Sequence, residues 1–461
     1  MSSDQSLFGT DGIRGKAGEW PLTPEFTLCL GRAIGQAAKE GSEQPVVVLG
    51  RDTRRSGPLL ESSLLAGILA QGVDAMVLGP FTTPGVSYLT TQMGATLGVV
   101  VSASHNPYWD NGIKVFEDSG FKASDDLETY IEDLALQNDQ SWQTNDFPGV
   151  DRQIPDEGQS YAKHLVEVFG GPGALSGLRV VLDCANGAAT LLTPDVFRRL
   201  GAEVVALNVW PNGTNINVDC GTEGDGPRRA GQAVLAAGAD VGFVFDGDAD
   251  RCKFVDETGV ERDGDYILAI MAREMQAAGT LAGDTVVSTI MANLGLDISL
   301  RQIGVSLERT RVGDRWVSQR MREKGYVLGG EQSGHIIMFE NGLTTGDGLY
   351  TALWMSQLLL RKRPQRFSEL ACFLTKVPQV LDKAPVPAKP SLETLSGVQA
   401  QIERSHELLG PDTLINVRYS GTEPVVRVMI QGAGQPLDAL KRETQQILQT
   451  IVAEIPQAQG N

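Results

Sequence analysis

Ser102, Ser104 and His105 stand at the end of an apolar run, Val99-Val100-Val101-Ser102-Ala103-Ser104-His105-Asn106-Pro107. Three β-branched residues read as a buried strand, and Pro107 stiffens the loop that follows. Such a strand delivers hydroxyls and an imidazole to its carboxyl end, where open α/β sheets bind ligands. A serine hydroxyl is a weak nucleophile without a neighbouring base. With a base and a cation beside it, Ser102 or Ser104 becomes a group able to carry a phosphoryl. Residue chemistry does not separate the two serines.

A second set of residues supplies the cation's ligands. Asp246, Asp248 and Asp250 alternate after the apolar strand Asp240 to Phe245. In an extended segment, period two places all three carboxylates on one side. Like charges that close repel unless a cation sits among them. Oxygen-only ligands select a hard ion, Mg²⁺ or Ca²⁺. The same aspartates with Glu257 imitate the first, third, fifth and twelfth positions of an EF-hand, but Arg251 stands where that loop needs glycine, and a strand precedes it.

Three further groups carry charge or hydrogen-bonding capacity. Lys114, in Asp110-Asn111-Gly112-Ile113-Lys114, offers an acid/base group or a point charge for phosphate. Glu331-Gln332-Ser333-Gly334-His335 packs a carboxylate, an amide, a hydroxyl and an imidazole into five residues, suited to sugar hydroxyls or an amine. Arg418-Tyr419-Ser420-Gly421-Thr422, with Arg427 beyond it, reads as an anion pocket in which guanidinium grips phosphate.

The elements that must position these groups alternate strand and helix, which predicts parallel α/β architecture. Val46 to Gly50 is a strand ending in Arg51-Asp52-Thr53-Arg54, and Ser56 is placed to cap the next helix. Strands are also predicted over Leu178–Asp183, Glu203–Leu207, Asp284–Thr289 and Tyr326–Gly330. Lys383 to Pro390 has three prolines and reads as a linker. After it come a strand from Val425 to Ile430 and a helix with Leu437, Leu440, Ile447, Leu448 and Ile451 on one face. The domain boundaries that follow are 1–157, 158–262, 263–375 and 376–461.

Composition bounds the rest. The 461 residues exceed one core, and 41% hydrophobic with 21% charged residues is ordinary for a globular protein. A net charge of −18 argues against nucleic acid as a partner. No apolar run approaches the ~18 residues of a membrane span, and Met1 to Gln5 begins no signal peptide. Five scattered cysteines without a CxxC pair point to reduced thiols. The expectation is a cytoplasmic protein with no membrane partner.

Together these loops resemble the α-D-phosphohexomutase superfamily, over nearly the whole chain and in the family's order. Ser102–Pro107 resembles its phosphoserine loop, Asp246–Arg251 its metal loop, Glu331–His335 its sugar-recognition loop, and Arg418–Arg427 its phosphate loop. Phe8–Gly15, Val312–Arg315 and Gly330–His335 are most similar to the bacterial phosphoglucosamine mutase branch. Thr222-Glu223-Gly224-Asp225-Gly226-Pro227 departs from the family by its glycine content.

The resemblance implies three related α/β domains and a smaller C-terminal α+β domain around a central active-site cleft. It implies that Ser104 is the phosphoserine and that Mg²⁺ is held by Asp246, Asp248, Asp250 and the Ser104 phosphate. Lys114 and His335 would be the acid/base groups, with Arg14 and His105 in support. Arg251, Glu331, Gln332, Ser333, Arg418, Ser420, Gly421, Thr422 and Arg427 would bind substrate. The implied reaction interconverts glucosamine 6-phosphate and glucosamine 1-phosphate, feeding amino-sugar nucleotide and cell-wall precursor synthesis. Its intermediate is a 1,6-bisphosphate, and glucosamine or glucose 1,6-bisphosphate would be the activator. The family also admits a homodimer. The rivals are a glucose or mannose phosphate mutase, a metal-dependent sugar-phosphate binding protein without turnover, and a Ca²⁺ sensor.

Overall fold

A computed structural model describes residues 6–137, 144–152, 158–420 and 423–458. The chain forms two compact units, Met1–Thr289 with Glu308–Ala371, and Ile290–Leu307 with Cys372–Asn461.

Three sheets carry the α/β part. The first has the order Phe8–Gly9, Gly12–Lys16, Asp110–Glu117, Leu97–Val101, Val46–Arg51, Asp74–Pro80, Asp151–Arg152. Its centre is parallel, Val46–Arg51 lying between Leu97–Val101 and Asp74–Pro80. The valine-rich strands there are buried, as a sheet covered on both faces requires. The second sheet runs Glu261–Arg262, Cys252–Asp256, Val241–Phe245, Arg179–Asp183, Glu203–Leu207. The third runs Ser306–Thr310, Thr285–Thr289, Leu328–Gly330, Ile336–Met338.

The parallel sheets turn antiparallel at one recurring place. Leu97–Val101, Val241–Phe245 and Leu328–Gly330 each pair parallel on one side. On the other side each pairs antiparallel with the strand that follows it. The chain returns directly, without a crossover helix, so each pair is a hairpin. The three connecting loops are 102–109, 246–251 and 331–335. The first hairpin sets Lys114 opposite Val100, so the lysine stands beside the loop that its own strand follows.

Local chemistry explains the supporting elements. Thr23 caps helix Pro24–Gly41 by accepting from Phe26 N. Ser56 does not cap helix Gly57–Ala70; its Oγ accepts instead from Asn111 Nδ2. Those two helices touch through Gly31 and Gly67. A Cβ on Gly67 would overlap the backbone of Leu28 and Arg32. The glycine-rich 222–227 stretch is a turn that leads into helix Gly226–Ala237, where a Cβ on Gly226 would overlap Gly221 O.

The second unit is built on a three-stranded antiparallel sheet, Gln379–Pro385, Val425–Gly432, Thr413–Tyr419, with Val425–Gly432 central. Helices Ser396–Leu409 and Leu437–Ala458 cover it, and Val398, Val426, Val428, Ile430, Leu440 and Ile447 form its core. Leu437, predicted on the buried face, is 45% exposed because it is the helix's first residue. The linker reading of 383–390 is corrected: Lys383, Ala384 and Pro385 complete an edge strand, where proline is tolerated. Among the described residues, no helix is long and apolar enough to cross a membrane.

Adding a methyl at Gly67 forces the two helices apart. Gly67→Ala is expected to destabilise the protein by about 1–3 kcal/mol, read as an earlier urea unfolding midpoint.

Candidate active site

Two hairpin loops of the first unit meet at Ser104, and the third reaches the second of them through His335 and Asp250. Ser104 has φ +52°, in the left-handed region, which costs a non-glycine residue about 1–2 kcal/mol. Hydrogen bonds hold it there. The fully buried Arg54 donates from Nη2 to the carbonyls of Ser104 (2.9 Å) and Asn106 (2.8 Å), and from Nη1 to those of Pro107 and Asp110. Asn217 Nδ2 donates to Ser104 O at 2.8 Å. Asp52 balances the guanidinium at 2.8 Å.

This frame separates the two serines. Ser102 Oγ donates to Asp52 Oδ2 (2.7 Å) and accepts from Ser104 N (2.9 Å), so it is an internal brace. Ser104 Oγ donates to Asp246 Oδ2 at 2.6 Å and lies 3.2 Å from His105 Nδ1. Burial, then Arg251 and Arg14, push the His105 imidazole down to about 4, so it is neutral at pH 7.

Asp246, Asp248 and Asp250 bring carboxylate oxygens within 4.8 Å of one another. They do so by turning, not by staying extended. Residues 247–250 are turn and bend, and Ala249 has φ +61°. The turn is pinned by Thr83 N donating to Asp248 O and Gly348 N donating to Ala249 O. Asp248 Oδ2 accepts from Thr83 Oγ1 (2.6 Å) and Lys114 Nζ (2.9 Å). Burial, reinforced by Asp250 and Asp248, raises Asp246 well above the usual carboxylate range.

The donor set fits a divalent hard cation. Asp248 Oδ1 and Asp250 Oδ1 are buried without a hydrogen-bond partner, and every candidate ligand atom is oxygen. Glu257 plays no part, accepting instead from Ser368 N and Oγ, which removes the EF-hand geometry.

An alternating line of charges leads away from the triad. Lys114 is 2% exposed, with Nζ 2.9 Å from Asp248, 3.1 Å from Asp250 and 3.3 Å from Asp11. Burial opposes its charge, but Asp11, Asp248 and Asp250 outweigh it and hold the ammonium well above its usual range. Asp11 also pairs with Arg14 and with Lys122, and Lys122 pairs with Asp314. Asp314 Oδ2 is 3.4 Å from His335 Nε2, and His335 Nδ1 is 3.7 Å from Asp250. Burial alone lowers the imidazole's affinity for a proton; Asp314 and Asp250 reverse this and raise it. Gly346 backs that ring, since a Cβ there would overlap it.

Arg14 Nη1 donates to Ala103 O at 2.9 Å and to Asn106 Oδ1 at 3.3 Å. Arg251 N donates to Asp246 Oδ1. Its guanidinium, desolvated by burial, is kept charged by Asp250, Asp246 and Glu331. Glu331 accepts from Gly313 N, and burial followed by Asp314 raises its carboxyl. Gln332 Nε2 turns to Asp265 Oδ2 at 3.2 Å. Ser333 Oγ is buried without a hydrogen-bond partner.

The phosphate-loop candidates belong to the second unit. Arg418 and Arg427 are directly paired across strands Thr413–Tyr419 and Val425–Gly432. Burial, then Arg427, lowers the Arg418 guanidinium. Two facing guanidinium groups suit an anion. Arg427 also pairs with Glu423 at 2.6 Å, and Ser420 Oγ accepts from Glu423 N. Gly421 and Thr422 lie outside the described residues.

Sequence reasoning did not assign Asp11, Asp52, Arg54, Thr83, Lys122, Asn217 or Asp314 to the site. Asp11 and Asp314 sit in Phe8–Gly15 and Val312–Arg315, stretches already singled out, so a weak signal existed for them. Arg54 and Asn217 act on backbone carbonyls and leave no spacing signature.

Models of the phosphoglucomutase/phosphomannomutase family match in four consecutive blocks: α/β/α domain I over residues 5–142, domain II over 159–259, domain III over 263–377, and the C-terminal domain over 381–449. The phosphoglucosamine mutase of Symbiobacterium thermophilum is 48% identical over 429 residues, covering 92% of this chain and 94% of that protein. That of Syntrophomonas wolfei is 45% identical over 457 residues, covering 98% of each. A phosphoglucomutase/phosphomannomutase family protein from Burkholderia thailandensis shares the fold, with a TM-score of 0.80 over 98% of each chain at 24% identity.

Mg²⁺ at about a hundred times its dissociation constant is expected to stabilise the protein by about 2.7 kcal/mol. Thermal unfolding with and without the ion measures this. The shift should vanish in the Asp248→Asn/Asp250→Asn variant.

Proposed function

Since this chain belongs to the α-D-phosphohexomutase superfamily, we propose that it interconverts glucosamine 6-phosphate and glucosamine 1-phosphate through phospho-Ser104. The observation that carries the reading is Ser104 Oγ at 2.6 Å from Asp246, in a buried carboxylate triad that fits a divalent cation.

The reaction has two balanced halves. The sugar C1 hydroxyl attacks the phosphorus of phospho-Ser104, an O1–P bond forms, and the P–Oγ bond breaks. The hydroxyl's proton leaves to a base and Oγ becomes free. The 1,6-bisphosphate then turns over. Ser104 Oγ attacks the phosphorus of the 6-phosphate, P–Oγ re-forms as the P–O6 bond breaks, and the leaving O6 takes back the proton from the base. Mg²⁺, when bound by Asp246, Asp248 and Asp250, supplies Lewis-acid charge neutralisation to the phosphoryl group.

The chain's own residues do the rest. Phosphoryl transfer depends on positioning and electrostatics. Arg54 and Asn217 fix the Ser104 backbone, and Lys114 places a permanent positive charge beside the transferring group. His335, bracketed by Asp250 and Asp314, takes and returns the hydroxyl proton. Neutral His105 accepts or donates a hydrogen bond at Oγ without adding charge. Arg418, Ser420 and Arg427, with Gly421 and Thr422, hold the other phosphate. Glu331 favours a substrate carrying an ammonium at C2 over a plain hexose. The relatives named phosphoglucosamine mutase support that choice.

A coupled assay on glucosamine 6-phosphate, with glucose 1,6-bisphosphate and Mg²⁺, tests the reading. Turnover of glucosamine phosphate should exceed that of glucose and mannose phosphates. Equal or better hexose turnover would move the substrate assignment to the hexose mutases. Ser104→Ala should lose at least about 10³-fold in turnover, whereas a binding protein would keep its affinity and show no turnover to lose. Gly346→Ala, which displaces the His335 ring, should cost about 10²-fold in kcat with Mg²⁺ binding retained.

A further inference from the structure

A cavity of about 250 Å³ lies between residues 121–125 and helix Asp314–Lys324. It is large enough for a small molecule and not only for a single water. Of the residues assigned to the active site, only Lys122 and Asp314 line it. The cavity therefore shares one ion pair with the site and is otherwise separate.

Its lining has a marked imbalance. Phe121 and Ile337 supply apolar surface. Arg315 is occupied by Asp125 and Glu128. Lys122 is occupied by Asp11 and Asp314. Arg322 has no carboxylate partner among the described residues; its guanidinium lies over the Phe121 ring at 4.1 Å. Phe339 meets Phe121 edge-on at 5.4 Å and holds that ring in place. A guanidinium with one face on an aromatic ring keeps its N–H edges for a planar acceptor, and carboxylate is the group those edges fit bidentately.

We propose that this cavity is a second ligand site, taking a small flat carboxylate that Arg322 grips and Phe121 flanks, and that its occupancy is felt at the metal triad through Lys122. A carboxylate entering beside Lys122 competes for the ammonium that Asp11 and Asp314 share. Asp11 in turn contacts Lys114, whose ammonium rests on Asp248 and Asp250. Coupling between sites is reciprocal, so the ion and the carboxylate must each alter the other's affinity by the same factor.

The probe is benzoate, with benzamide as its neutral counterpart, titrated into the full chain by calorimetry and ligand-observed NMR. Benzoate should bind, and benzamide should bind at least ten-fold more weakly. Arg322→Met should weaken benzoate at least ten-fold without changing the thermal midpoint or basal turnover. Saturating benzoate should change the Mg²⁺ affinity at least two-fold in the wild type and not in Arg322→Met. No benzoate binding, or equal binding by Arg322→Met, overturns the site; the second result would place the anion elsewhere, such as on Arg418 and Arg427. Binding with an unchanged Mg²⁺ affinity overturns the coupling. None of these readouts needs sugar-phosphate turnover, so failure of the mutase assignment is seen separately.

Discussion

Three carboxylates buried within 4.8 Å of one another set the terms for the whole first unit. At an effective dielectric near 20, each pair of charges at that distance repels by roughly 3–4 kcal/mol. No fold keeps such a triad ionised without opposite charge inside it. Lys114 is one answer, and burying it requires Asp11 as a further partner. Asp11 then draws in Lys122, Lys122 draws in Asp314, and Asp314 reaches His335. Six carboxylates (Asp11, Asp246, Asp248, Asp250, Asp314, Glu331) face four fixed cations (Arg14, Lys114, Lys122, Arg251). The charge line also joins the three sheets, because each contributes at least one member of it.

The fold meets this demand with one device used three times. A strand buried in a parallel sheet turns back at its carboxyl end as an antiparallel hairpin, and the hairpin loop carries the chemistry. Backbone hydrogen bonds of both strands fix each loop's two ends, so only the few residues between need special conformations. Ser104 and Ala249 take left-handed backbone angles there. At Ser104 that strain is outweighed by donors from Arg54 and Asn217, each hydrogen bond contributing about 1 kcal/mol or more. The result is a hydroxyl whose direction is set by backbone geometry and not by rotamer choice alone.

Much of this was legible in the sequence. The marker loops follow apolar runs, so strand and loop assignments were readable from residue type. The aspartate triad announced a cation through its chemistry, even though the extended geometry imagined for it was wrong. What could not be read was partnership across long separations. The frame of Ser104 comes from Arg54, fifty residues away, and from Asn217, more than a hundred away. Neither the hairpin return nor the internal role of Ser102 has a pattern in residue spacing. Prolines misled at Pro385, because an edge strand accepts a residue that a central strand would reject.

The proposed chemistry requires Ser104, and not Ser102, to carry the phosphate. Peptide mapping by mass spectrometry, after incubation with glucose 1,6-bisphosphate and Mg²⁺, tests this directly in the wild type, Ser102→Ala and Ser104→Ala. One phosphate on Ser104 in the first two proteins, and none in the third, is the predicted result. Phosphate on Ser102, or no phosphate on any of the three, would contradict it.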